Sequence, residues 1–190
     1  MESRRLFLAL SLAFLASCSS GPATFHSVAT RSFEKAGPHF SLKLQYPEIA
    51  GAPGDLNQLL ADNALARLQD VEDNPLPFDD YARNIAEDSA VTALHAESIL
   101  TIAHRTPEFL TTRCLTSEGA FYDVYDARTG RHLEPDDLLE DGKHHALPDP
   151  GPAEPSIGLL PDHAVCNGVD IPYDRLRGIL KPRFLPAHVY

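Results

Sequence analysis

The chain has 190 residues and a formal net charge of −11, with 27 Asp and Glu against 16 Lys and Arg. That balance excludes a nucleic-acid binder, which needs a basic footprint, and favours a cationic partner instead. The length suits one domain, or two small ones sharing a core.

The first element is a targeting segment. Arg4 and Arg5 precede an apolar run, Leu6 to Leu15, interrupted only by Ser11. Ten helical residues span ~15 Å, half a bilayer core, so this run is too short to cross a membrane. A basic start, a short apolar stretch and small residues before a cut describe a signal peptide over residues 1–17. Leu15-Ala16-Ser17-Cys18 resembles a bacterial lipobox, which implies a diacylglyceryl group on Cys18. The alternative is an ordinary secretory signal in which Cys18 is incidental. Several acyl chains would hold the protein firmly where one would not. Ser19 after the cysteine is similar to the pattern of lipoproteins sorted to the outer membrane. The expected location is therefore the periplasmic face of that membrane. Losing residues 1–17, which carry two arginines and Glu2, makes the remainder one charge more negative.

Residues 18–36 are polar and aperiodic and read as a flexible tether. His39 to Tyr46 alternates, with Phe40, Leu42, Leu44 and Tyr46 on one face, as a half-buried strand does. Pro47 is expected to end it. Asp55 with Gln58 resembles a capping box, opening an amphipathic helix over 56–72 through Leu56, Leu59, Leu60, Ala64, Leu68 and Val71. Asn74-Pro75-Leu76-Pro77 stops it, and a shorter helix is expected over 80–87. Strands are expected over 99–103, 109–115 and 120–125, then a turn at Asp126 to Gly130 and a short helix from Pro135. The stretch 142–155 holds Pro148, Pro150, Pro152 and Pro155 and reads as an exposed loop. A strand over 157–160, a segment over 165–171 and a helix over 173–180 complete the chain. The expected fold is α+β, a mostly antiparallel sheet with helices on one face. It is divided into a strand–helix sub-domain over 37–90 and an α+β sub-domain over 91–190.

Two cysteines remain beyond Cys18. In an oxidising compartment Cys114 and Cys166 suggest a disulfide, worth ~4 kcal/mol in the chain-entropy model. The other reading is two separate buried thiols. Their spacing fits no zinc motif. His144 and His145, with Asp141 and Asp149, suit solvent better than a metal, because a Pro-rich loop offers few neighbouring groups to hold the ligands in orientation. His95, His104 and His132 read as core or rim residues. Glu134, Asp136, Asp137, Glu140 and Asp141 read as a solvated acidic face rather than a glycosidase pair. No Gly-x-Ser-x-Gly elbow or phosphate loop occurs. No catalytic residue, metal or cofactor is therefore expected.

Three segments carry a resemblance. They are Leu44-Gln45-Tyr46-Pro47-Glu48-Ile49-Ala50-Gly51 followed by Leu56-Asn57; Tyr125 to Leu133 running into Asp136-Asp137-Leu138-Leu139; and Val169-Asp170-Ile171-Pro172-Tyr173-Asp174-Arg175-Leu176. Together, over residues 39–181, they resemble the extracytoplasmic domains of lysozyme-sensing anti-sigma factors. Related domains occur in peptidoglycan deacetylases and in free-standing envelope lipoproteins. The resemblance implies an envelope lipoprotein that binds, and inhibits, a basic lysozyme-like muramidase or another peptidoglycan hydrolase, as an immunity protein would. The alternatives are a peptidoglycan- or glycan-binding accessory lipoprotein and an enzyme acting on the wall. The sequence differs from the family pattern at Ser117 to Tyr122 and in the shortened stretch Pro161 to Gly168. The second of these, stapled through Cys166, is the first candidate to touch a partner, through Pro161, Asp162, His163 and Asn167. The Pro-rich loop is the second.

Overall fold

The computed structural model describes residues 27–71, 73–148 and 156–189. The signal peptide, Cys18 and residues 149–155 of the Pro-rich loop lie outside them. No helix among the described residues is long and apolar enough to cross a membrane.

Six strands form the main sheet in chain order: β1 (Val28–Ala36), β2 (Phe40–Ile49), β3 (Leu94–Arg105), β4 (Phe109–Thr116), β5 (Gly119–Asp126) and β6 (His132–Leu133). All neighbours are antiparallel except β2 and β3. That parallel pair is bridged by two helices, α1 (Leu56–Gln69) and α2 (Phe78–Glu87), the crossover that parallel strands require. The fold is α+β, as the sequence pattern predicts.

Several boundaries differ from expectation. Residues 28–36, read as tether, form the edge strand β1, exposed along its whole length. With one side in water, such a strand needs no apolar alternation. β2 continues through Pro47 to Ile49, because β3 pairs it only as far as Gln45. The missing N–H of Pro47 therefore breaks no ladder on that side. Asp55 makes no capping bond, and Gln58 bonds Asp62 instead. Asn57 orients the helix: its amide accepts from Ile49 N at 2.8 Å and donates to Ile49 O at 2.9 Å, tying α1 to the end of β2. α1 stops at Asp70, which takes a left-handed conformation. The segment expected as a helix over 173–180 is only a 3₁₀ turn, Tyr173–Leu176. Arg177 is extended beyond it, and Leu180 bridges to Leu139.

A second, three-stranded antiparallel sheet contains β7 (Ile157–Leu159), β8 (His163–Cys166) and β9 (Val169–Pro172). The alternation of β4 and β5 explains where it packs. Leu110, Cys114 and Tyr125 join Leu44, Ile49, Leu56, Leu60, Ala64 and Leu68 in a core beneath α1. Phe109 and Val124 point the other way, into a core with Ile157, Leu159, Tyr173 and Leu180. Thr111 Oγ1 donates to Leu159 O at 2.8 Å across this second interface. Gly158 lies so close to Tyr122 that a Cβ would sit 2.6 Å from its ring. The main sheet thus has helices on one face and the small sheet on the other.

Two expectations are corrected by this arrangement. Cys114 and Cys166 are separate buried thiols rather than a disulfide. Cys114 belongs to the core under α1 and Cys166 to the core of the small sheet. Cys114 leaves β4 on the side facing α1, whereas Cys166 lies on β8 of the small sheet, in the core on the other side of the main sheet, so no bridge can form between them without moving backbone. The sheet also runs unbroken across residue 90, where β2 pairs β3. The natural division lies between the two faces of the sheet, not between two stretches of chain.

Candidate functional site

A cleft of about 1080 Å³ lies between α1, the β4–β5 hairpin and β6. Its geometry follows from two periodicities. On α1, Leu59, Asn63, Arg67 and Asp70 recur at three- and four-residue steps and share a face. On β5, Phe121, Asp123 and Tyr125 share the face turned toward that helix. Arg67 therefore meets Phe121, its Cζ 4.3 Å from the ring centroid. One turn away, Asn63 meets Asp123 and Tyr125. Its Nδ2 donates to Asp123 Oδ2 at 3.0 Å and to Tyr125 Oη at 3.3 Å. Asn63 Oδ1 is buried and has no partner.

Asp123 is 8 % exposed, a rare position for a carboxylate. Burial raises its pKa, but the His132 hydrogen bond and charge, the Arg67 charge and the Asn63 amide outweigh that and hold it below the usual range. His132 is clamped from both sides. Its Nε2 lies 3.3 Å from Asp123 Oδ1, and its Nδ1 lies 3.0 Å from Glu134 Oε1. The bond to Asp123 raises its pKa against the opposing effect of burial, with Glu134 adding to the rise. Two carboxylates on one ring favour imidazolium, which donates from both nitrogens. Burial and the Asp123 charge push the Tyr125 hydroxyl far above its usual range, so it stays protonated.

Chemically, Asp123, His132 and Glu134 in this wall are engaged with one another. A general base needs a free ring nitrogen, and both nitrogens of His132 are engaged. The nearby hydroxyl of Ser156 is spent on Tyr122, accepting from its N and donating to its O, each at 3.2 Å. Around the mouth stand Asp62, Asp70, Asp73, Glu118 and Glu134. Leu59 and Val71 are exposed among them. The cleft is acidic at its rim, with apolar patches between the charges.

The residues proposed from sequence sit elsewhere. Pro161 to Gly168 is not a loop but strand β8 with a tight turn at each end. Pro161 and Asp162 are exposed at the first turn. His163 lies between Asp162, at 2.7 Å, and Asp170, at 3.6 Å. Asn167 has a positive φ of 51°, and its side chain is consumed by structure. Its Oδ1 accepts from Ser156 N, and its Nδ2 donates to Pro148 O. It thus pins the two ends of the Pro-rich loop, and its role is scaffolding. Of the cleft residues, sequence reading placed His132 and Glu134 only as rim or solvated face, and it passed over Asn63, Arg67, Phe121 and Asp123. The available signal was an aspartate on the inward-facing register of a strand, between Phe121 and Tyr125.

Solved structures share this architecture. The fold is similar to that of DUF3298 family proteins. One, from Pseudomonas aeruginosa PAO1, superposes with a TM-score of 0.61 at 16 % identity, covering 86 % of this chain and 99 % of that one. Another, from Bacteroides fragilis, gives 0.51 at 13 % identity, covering 83 % and 95 %. At such identities the likeness is one of fold alone. No protein-family model and no curated protein matches the sequence.

Proposed function

We propose that this protein is a non-catalytic envelope lipoprotein, anchored through Cys18 at the periplasmic face of the outer membrane. It binds and inhibits a basic, lysozyme-like peptidoglycan hydrolase. The observation that carries the reading is the acidic rim of the cleft. Five carboxylates surround a rigid wall in a chain of net charge −11, a surface complementary to a cationic protein. The engaged state of both His132 nitrogens supports a binding role over acid–base chemistry. The resemblance of residues 39–181 to lysozyme-sensing domains supplies the class of partner.

The test is a titration of the purified chain against basic muramidases, read as lysis of purified cell walls. Inhibition that weakens as salt rises, and weakens again in the Asp62→Asn/Asp70→Asn/Asp73→Asn triple variant, is the expected result. Undiminished lysis at saturating protein overturns it. Labelling of the chain by palmitate, abolished in Cys18→Ala, is expected for the anchor.

A further inference from the structure

The interior of the cleft carries a feature that a purely cation-binding surface would not have. Arg67 lies over Phe121 in the middle of an acidic concavity. Among the described residues, no hydrogen bond or ion pair engages its guanidinium, although its charge acts on Asp123. Stacking on the ring fixes the planar group in place while leaving its five N–H donors unspent. A guanidinium so placed matches a carboxylate in two-point geometry.

The surroundings restrict what can enter. A simple anion meets Asp62, Asp70 and Glu118 on its way to Arg67 and is repelled. A simple cation is attracted by those carboxylates but meets the Arg67 charge among them. Only a ligand bearing both signs satisfies both regions. The volume, about 1080 Å³, exceeds what a single amino acid needs and lies at the upper end of small-molecule sites.

We propose that the cleft is a binding site for a peptide end that carries a free α-carboxylate and a neighbouring ammonium group. The carboxylate pairs with Arg67 and the ammonium with the acidic rim. This site goes beyond hydrolase inhibition and does not require it. Its test contains no hydrolase, so the two readings fail separately.

Calorimetric titration of the purified full chain with acetyl-Lys-Ala, its C-terminal amide and acetyl-norleucyl-Ala tests the assignment. The free acid should bind about tenfold to a hundredfold more tightly than the amide, as loss of a charged hydrogen-bonding pair dictates. The norleucine peptide should also bind more weakly than the lysine one. Arg67→Gln should abolish the acid-over-amide preference while leaving the thermal midpoint near that of the unmodified chain. Arg67→Lys should restore part of the preference. Terminal L- and D-alanine forms distinguish the source, because cell-wall peptides end in the D residue. Equal binding of acid and amide, a preference that survives in Arg67→Gln, or no heat of binding up to about 10 mM peptide overturns the proposal.

Discussion

The two faces of the main sheet solve opposite problems with the same strands. Toward the small sheet, β4 and β5 offer Phe109 and Val124, and the buried polar contact of Thr111 with Leu159 O is a simple hydrogen bond. Toward α1 the same strands offer Leu110, Cys114 and Tyr125, but also Asp123, which must be neutralised where it stands. The first face is an apolar joint. The second grades from an apolar joint near Leu60 into a charged wall near Arg67. Burying a carboxylate in that wall costs stability unless each oxygen is bonded, and the two oxygens of Asp123 are held by His132 and Asn63. Such a network beside the cleft is the kind of arrangement found at functional sites, and the proposed binding role rests on that face.

The comparison can be broken most severely in the apolar joints. Leu60 and Leu159 are each wholly buried, one in each core. Leu60→Ala and Leu159→Ala should each destabilise by about 2–5 kcal/mol, measured by denaturant unfolding. If the two cores form one cooperative unit, each variant lowers a single shared transition. A second transition appearing only in Leu159→Ala would show that the small sheet melts by itself.

The charged wall should betray itself through pH. His132 has a raised pKa in the fold, so its contribution is full below about 6.5 and is lost as pH rises through the higher folded value. Asp123 has a lowered one, so its contribution is present above about 3.8 and is lost as pH falls through the lower folded value. Stability carried by this pair should therefore be greatest between those limits. His132→Gln should remove the decline on the alkaline side, as read from thermal midpoints across the pH series. Leu159→Ala removes no titratable group and should shift the whole curve without changing its shape.

The smallest effect concerns the turn after β8. Asn167→Ala loses the bonds to Ser156 N and Pro148 O and places a Cβ residue without a local bond at positive φ. A cost of about 1–2 kcal/mol is expected. Asn167→Gly should lose the same bonds but relieve the backbone, giving the milder variant. Neither should alter cleft binding if Asn167 is scaffold and not contact.

Legibility in the sequence followed the range of the interaction. Alternation in Phe40 to Tyr46 identified β2, and the helical spacing from Leu56 to Leu68 identified α1, because periodic burial is written into the chain itself. The Asp126 to Gly130 turn was equally plain. Asp126 Oδ1 accepts from Arg128 N, Thr129 N and Thr129 Oγ1, and Gly130 takes φ 77° where a Cβ would strike the Pro53 carbonyl. β1 was missed because an edge strand in water shows no pattern. The disulfide was misjudged because two cysteines in sequence carry no record of which face each strand turns inward.

From local order alone came β2, the middle of β3, β4, β5, the two helices, the turn at Asp126 to Gly130 and the acidic balance, since each depends on neighbours within a few residues or on a simple sum of charge. Only the tertiary structure decided that Arg67 meets Phe121, that Asn63 and His132 converge on Asp123, and that Cys114 and Cys166 stay apart. Arg67 and Phe121, Asn63 and Asp123, and the two cysteines are each more than fifty positions apart in the chain. Their register is set by how α1 docks across β5 and by which side of the sheet the second core occupies, and packing of whole elements, not any local preference, selects both.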